Sequence, residues 1–360
     1  MSRPTKATID LQALHHNFQL AQSLAPQSKT IAMVKANAYG HGAIEVAEAL
    51  SDIAPAFGVA CIEEALNLRA AGISNPILLL EGTFSSDEVA IAAQHRFWLM
   101  VENHPQKDAI LTANISHPVD VWLGVDTGMH RLGFQPADIA DVYKALRASR
   151  NVSEQIVVSS HFACADDLEK QTTDKQIECF DTCMPSDPNA LSSLANSAAI
   201  LAWPQAQRDW QRPGYMLYGG SPFRVAQKNA DQLQAVMSFE SAVISVRSIA
   251  AGESVGYTGN WTAQRQSTIA TITVGYGDGY PRQAPNGTPV LVNGQRCPLV
   301  GRVSMDMITV DVTDLPEARI GAAVELWGQT LSVDEVAQAC GTIGYELLTR
   351  MPARVPRIYG

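Results

Sequence analysis

The chain has 360 residues, 46% of them apolar, and carries 26 basic against 36 acidic residues for a formal charge of -10. That length allows about two domains with sizeable cores. The acidic balance disfavours nucleic acid and anionic membrane surfaces as general partners. No stretch is apolar for long enough to span a bilayer, and the first ten residues lack the apolar core of a signal peptide, so a cytoplasmic location is expected. The six cysteines (61, 164, 179, 183, 297 and 340) are scattered, with no paired spacing or nearby histidine pair of the kind that binds zinc; no metal is expected.

Taken in chain order, Lys6 to Asp10 reads as an extra strand able to pair with a later domain. Short apolar runs then alternate with longer Ala- and Leu-rich amphipathic stretches. The predicted strands are Thr30 to Val34, Ala56 to Ala60, Ile77 to Leu80, Phe97 to Val101, Val119 to Leu123, Ile156 to Ser160, Ser192 to Ala195 and Gln211 to Leu217. Helices are predicted over Gly42 to Leu50, Ile62 to Ala71, Ser85 to Gln94, Ala137 to Ala148 and Asp167 to Cys183. Eight alternations in this length predict an N-terminal (β/α)8 TIM-type barrel.

After a polar linker, Ser221 to Asp231, the texture changes to strand-like segments broken by Gly, Asn and Pro: Val236 to Val246, Ser267 to Val274, Thr288 to Val292 and Ile308 to Val312. The expected organisation is a barrel over residues 1–230, with residues 1–9 able to pair elsewhere, and a mostly β domain over 231–360.

A (β/α)8 barrel collects its chemistry where strands end and βα loops begin. Following the strands, those positions hold Lys35 with Tyr39, then Asp126 to Arg131, His161, Asn196 with Ser197, and Arg212 through Tyr215. A lone lysine at the end of an apolar strand is a candidate Schiff-base nucleophile. Backbone N–H groups around Gly214, with Ser and Tyr hydroxyls, suit a phosphate, and an arginine can grip a carboxylate through two parallel hydrogen bonds. Together these groups fit pyridoxal 5'-phosphate better than a metal.

The chain closely resembles alanine racemase, a fold-type III pyridoxal phosphate enzyme. The resemblance is carried by Met33-Val-Lys35-Ala-Asn-Ala-Tyr39-Gly-His-Gly42, Asp126-Thr-Gly-Met-His-Arg131-Leu-Gly133, Ser160-His161-Phe-Ala163, Ala195-Asn-Ser197 and Arg212-Pro-Gly-Tyr-Met-Leu-Tyr218-Gly219. It continues through Val255-Gly-Tyr257, Gly275 to Arg282, Gly301 to Asp306, Gly344-Tyr345-Glu and Pro356-Arg357, spanning nearly the whole chain. The resemblance implies that Lys35 holds the cofactor and acts as base on one face of the substrate. By the same resemblance Tyr257 would be the opposing base, donated by the other subunit of a head-to-tail homodimer. Tyr39, Ser197, Gly214, Tyr215 and Tyr345 are the implied phosphate group, Gly214 and Tyr215 acting through backbone N–H. Arg212 is expected to face the pyridine nitrogen, with His161 orienting it and Asn196 near the phenolic oxygen. Arg131 and the backbone of Met305, the latter again from the partner, are the implied substrate-carboxylate contacts. Asp166, Tyr276 and Arg282 are expected to line the approach corridor.

The chain departs from the family at one position. Many alanine racemases carry, two residues before the Asp-Thr-Gly-Met segment, a lysine converted to a carbamate that braces the substrate-binding arginine. Here that position is Gly124. A bound anion or a neighbouring carboxylate is expected to fill the space, the alternative being a looser Arg131. The expected activity is interconversion of L- and D-alanine, supplying D-alanine for peptidoglycan. The alternatives are a serine or broad-spectrum racemase of the same fold, or a non-catalytic binder of the cofactor.

Overall fold

The computed structural model describes residues 3–360. Outside the barrel lies β1 (Lys6–Ile9). The barrel itself is built from β2 (Lys29–Met33), β3 (Ala56–Val59), β4 (Ile77–Leu79), β5 (Phe97–Val101), β6 (Val119–Gly124), β7 (Val152–Ser159), β8 (Leu191–Ser193) and β9 (Trp210–Gln211). Each strand pairs in parallel with the next, and β9 pairs back with β2, so the sheet closes without an edge. Strands covered by helices outside and packed against one another inside must be apolar on both faces. That is why Ile31, Phe57, Ile77, Leu79, Leu99, Val121 and Leu123 are all fully buried.

The predicted last strand is shorter than expected. It ends at Gln211, and Tyr215–Tyr218 forms a 3-10 turn instead. Pro213 has no N–H to continue a ladder, and the Ser197 hydroxyl accepts from the N–H groups of Gly214 at 2.9 Å and Met216 at 3.3 Å, drawing the backbone into a turn. The predicted Asp167 to Cys183 helix begins only at Thr172.

Both ends of the chain meet on one sheet of the β region. There β1 runs antiparallel to β10 (Met237–Ile249) and parallel to the last strand, Arg357–Tyr359. The first helix, Leu11–Leu24, starts at Asp10, whose Oδ1 accepts from the N–H groups of Gln12 and Ala13. Its buried Asn17 donates to the carbonyls of Leu217 and Gln234. The helix thereby fastens the barrel's closing turn to the start of the β region.

Candidate active site

The Lys35 loop is the most unusual backbone in the molecule. Ala36, Asn37, Ala38 and Tyr39 all have φ between 51° and 54°, a left-handed turn of four consecutive non-glycine residues. Each such residue costs about 1–2 kcal/mol, and strain of this kind persists only where surrounding groups over-determine it. The surrounding groups are present. Glu64 accepts from the Ala36 N–H at 2.7 Å and the Ala60 N–H at 2.8 Å, tying this loop to the one after β3. The Asn37 side chain accepts from Ala43. At the far end Arg357 donates to the Gly40 carbonyl and the Tyr359 hydroxyl donates to that of His41.

At the carboxyl ends of the strands a cavity of about 1010 Å³ opens. It gathers Lys35, Tyr39, Arg131, His161, Asp166, Asn196, Ser197, Arg212, Gly214, Tyr215 and Tyr345, all of them positions singled out in the sequence. Burial holds the Lys35 amine below its ordinary value, and the positive charge of Arg131 pushes it further down.

Arg212 is fully enclosed. Its guanidinium donates to the Ser193 hydroxyl, to the Ser160 carbonyl at 2.5 Å and to the Leu194 carbonyl at 3.4 Å. Burial lowers its pKa to about 10, against the opposing pull of Glu102, so it remains a cation at neutral pH. No hydrogen bond joins it to His161; Ser193, Ser160 and Leu194 hold it in place instead. His161 faces the cavity as a neutral ring, its pKa pushed down to about 3 by burial and by the charges of Arg212, Arg131 and Lys35.

Tyrosines also line the cavity. Tyr39 stacks on Tyr218 at 4.8 Å between ring centroids, and Tyr345 stacks on Tyr215 at 3.7 Å. Burial raises Tyr39 to about 12 and Tyr345 well above the usual phenol value, leaving both as neutral donors. The Tyr215 hydroxyl is committed to Asp334 at 2.6 Å. Gly214 must lack a side chain, because a Cβ would stand 3.1 Å from Tyr39 Cζ and closer still to its hydroxyl. Asn196 lines the cavity and also caps the helix Ser197–Ala202, accepting from Ala199 N–H.

Arg131 rides on a loop shaped by Asp126. That carboxylate accepts from Gly128 N–H, His130 N–H and His130 Nδ1, all within 3.0 Å. Four singled-out residues lie outside this cavity: Tyr257, Tyr276, Arg282 and Met305. All four are exposed, Tyr257 by 70% and Met305 by 53%. Met305 is held by Gly277, whose N–H donates to its carbonyl, and a Cβ on Gly275 would overlap the same backbone. Sequence reasoning did not single out Ser193 and Ser160, which fix Arg212, nor Glu81 and Glu102, which line the cavity. Both carboxylates follow directly after barrel strands, or nearly so, and that position was the available signal.

A closed β/α barrel with an amine, two arginines and a tyrosine-lined pocket at its carboxyl end, followed by a β region, is the architecture of a barrel enzyme with its site at the strand ends. The sequence models described as "Alanine racemase, N-terminal domain" and "Alanine racemase, C-terminal domain" match residues 9–222 and 236–359. The chain belongs to the alanine racemase family, a family of isomerases. It is 52% identical to "Alanine racemase, biosynthetic" of Pseudomonas aeruginosa and 51% identical to "Alanine racemase, catabolic" of Pseudomonas putida, in each case over 99% of both chains. The crystal structure of the Pseudomonas aeruginosa enzyme superimposes with a TM-score of 0.96 over 99% of both chains. An alanine racemase from Bartonella henselae, described with covalently bound pyridoxal phosphate, is 33% identical and superimposes with a TM-score of 0.89, again over 99% of both chains.

Proposed function

We propose that this protein interconverts L- and D-alanine with pyridoxal 5'-phosphate as cofactor, each active site being completed by a second copy of the chain in a homodimer. The observation that carries the reading is the Lys35 amine: buried, depressed in basicity and enclosed with Arg131, Arg212 and the tyrosine pocket.

The residues present fit the cofactor. Neutral Tyr39 and Tyr345 hydroxyls, the Ser197 hydroxyl and the backbone at Gly214 and Tyr215 would hold its phosphate, and the missing Cβ at Gly214 leaves room for that approach. Arg212 stays charged and can only donate, so a ring nitrogen facing it would be kept unprotonated; Asn196 and His161 line the same cavity. When bound, the cofactor supplies an aldehyde for the substrate amine and an electron-withdrawing ring that acidifies the α-proton.

The chain's own groups do the rest. Arg131 grips the substrate carboxylate, joined by the Met305 backbone of the partner subunit. Lys35 takes or returns a proton on one face of the α-carbon, and Tyr257 of the partner subunit does so on the other. Exposure of Tyr257 and Met305 in the single chain supports their use by a neighbour. Asp166 lies at the cavity wall, and with Tyr276 and Arg282 we assign it to the approach corridor.

The six free cysteines fit a reducing cytoplasm, and no helix among the described residues is long and apolar enough to cross a membrane. We assign the product to peptidoglycan supply, supported by the biosynthetic relative; a deletion strain that grows without added D-alanine would count against this role. The direct test incubates holoenzyme with L-alanine, L-serine, L-lysine or L-arginine in heavy water and follows chirality and α-deuteration. Rapid D-alanine formation with little from the others supports the proposal. Equal racemisation of larger substrates points to a broad-spectrum enzyme, and no exchange points to a cofactor-binding protein.

A further inference from the structure

Among the cavity carboxylates that accept no hydrogen bond and form no ion pair, Glu102 is the one that is not exposed. Glu102 follows β5 directly, at the end of the barrel where chemistry collects. Its backbone is fixed: the N–H donates to Gln106 Oε1 at 2.8 Å, and the Gln106 amide donates to the carbonyls of Glu81 and Thr83 after β4. The side chain then crosses to the end of β6 and lies on Gly124. A Cβ built there would stand 2.5 Å from Glu102 Cδ and nearer still to Oε2, so no residue but glycine is compatible with this carboxylate position. Yet among the described residues the Glu102 carboxylate accepts no hydrogen bond and forms no ion pair. A largely enclosed carboxylate without a partner is costly. Burial accordingly lifts its pKa to about 7, while Arg212 and Arg131 pull in the opposite direction.

The two arginines differ in freedom. Arg212 is immobilised by Ser193, Ser160 and Leu194 and fully enclosed. Arg131 is exposed to the cavity and has no hydrogen bond or ion pair of its own among the described residues. Its loop starts two residues beyond Gly124, so the glycine, the carboxylate and the guanidinium belong to one corner of the site.

We propose that Glu102 is a positioning residue for the substrate carboxylate: lodged on the bare face of Gly124, it is the counter-charge that sets the Arg131 guanidinium for binding. This rests on the reading of Arg131 as the carboxylate grip. In the Glu102⁻ form the guanidinium is held toward the cavity wall and one edge remains for the substrate; protonation releases it. The charges acting on Glu102 are those of Arg212, after β9, and Arg131, after β6; Gly124 of β6 lies beneath it, and Lys35, His161 and Glu81, after β2, β7 and β4, line the same cavity. Arg212 remains a cation at neutral pH and His161 is neutral there, so neither supplies the switch assigned to Glu102.

The test compares holoenzymes carrying Glu102→Gln, Gly124→Ala, Glu102→Ala, Glu102→Ala with Gly124→Ala, and Arg131→Ala. KM and kcat are measured for both alanine enantiomers, with propionate as a carboxylate mimic titrated by calorimetry. Glu102→Gln is expected to raise KM and the propionate Kd about tenfold while kcat changes little, and to flatten the fall of KM with rising pH near neutrality. Gly124→Ala is expected to reproduce this by displacing an intact Glu102, and to add nothing once Glu102→Ala has emptied the space. Unchanged KM and propionate binding in Glu102→Gln would overturn the proposal. So would a Gly124→Ala effect that is equally large in the Glu102→Ala background, a comparison that stands even if the Gln variant folds poorly. If Arg131→Ala itself leaves propionate binding unchanged, the carboxylate-grip reading fails first; if it weakens binding and Glu102→Gln does not, only the Glu102 proposal fails.

Discussion

Arg357, three residues from the end of the chain, donates from Nε to the carbonyl of Gly40 at 2.6 Å and from Nη2 to that of Met351 at 3.0 Å. The β region thereby clamps the strained turn that carries Lys35. Gly40 itself has φ +83°, and a Cβ there would overlap the Leu348 carbonyl, so the two parts meet backbone to backbone. Arg357→Ala leaves both carbonyls without their charged donor and is expected to cost about 1–3 kcal/mol of stability. Amide exchange in residues 38–42 should accelerate while β5 and β6 stay protected. Unchanged exchange across 38–42 would show that the left-handed turn does not depend on the clamp.

Gly214→Ala places a methyl group against Tyr39, which cannot swing away because it is stacked on Tyr218. The fold should survive, since the collision is with one side chain in a cavity. Retention of pyridoxal phosphate is expected to weaken by about tenfold, equivalent to about 1.4 kcal/mol. Dialysis followed by the visible absorbance of bound cofactor measures this. Retention equal to wild type would remove Gly214 from the phosphate group.

The barrel was legible because its strands are short apolar runs between amphipathic stretches, and the strand-end rule then pointed to Lys35, Arg131, His161, Ser197 and Arg212. The parts that escaped are those set by contacts distant in sequence. Nothing in the run Phe97 to Glu102 says that the glutamate is enclosed; that follows from Gly124, on the neighbouring strand. Ser193 was legible as a strand residue, but its grip on Arg212 depends on how β8 and β9 sit side by side. The last strand reads as over-long because Tyr215 to Tyr218 is as apolar as a strand, whereas the Ser197 hydroxyl takes the N–H groups of Gly214 and Met216 and the Leu217 N–H turns back to the Gly214 carbonyl.

In cofactor-free protein the Lys35 amine should react with acetic anhydride at lower pH than an ordinary lysine of pKa 10.5, because burial and then Arg131 disfavour its charged form. Arg131→Gln removes one of the two opposing positive charges. The midpoint of the labelling curve should therefore move up, without returning to 10.5, since burial is the larger cause. Mass spectrometry of the Lys35 peptide follows it; a midpoint that stays put or falls would show that Arg131 does not act on this amine.

His41 is fully buried, hydrogen-bonded through Nδ1 to the carbonyls of Ala38 and Tyr39, and burial lowers its pKa from 6.5 to about 4. Between those values the unfolded chain binds a proton that the folded chain does not, so stability rises with pH across this window. Acidification from pH 6.5 to below 4 should cost on the order of 3 kcal/mol through this residue. His41→Gln is expected to be less stable at pH 7.5 yet to lose less on acidification. Chemical denaturation of both proteins at pH 7.5, 5.5 and 4.5 separates the contribution from that of the carboxylates. Parallel curves would mean that His41 charges without resistance in the folded state.

Lys35 lies in the cavity while Tyr257 is exposed outside it, and this separation makes a prediction about sites rather than residues. If each active site takes Lys35 from one chain and Tyr257 from the other, Lys35→Ala and Tyr257→Phe homodimers are both inactive. A mixed dimer pairs the intact Lys35 of the Tyr257→Phe chain with the intact Tyr257 of the Lys35→Ala chain, giving one complete site and one lacking both groups. Dissociating and reassociating an equal mixture should restore about one quarter of wild-type activity, since about half the dimers are mixed and each has one of two sites. If both residues belonged to the same chain, every site in the mixture would lack one base and no activity would return. Single turnovers in heavy water add the stereochemical half of the argument: Tyr257→Phe should lose proton abstraction from L-alanine far more than from D-alanine. Equal loss from the two enantiomers would take Tyr257 out of the role of one-sided base.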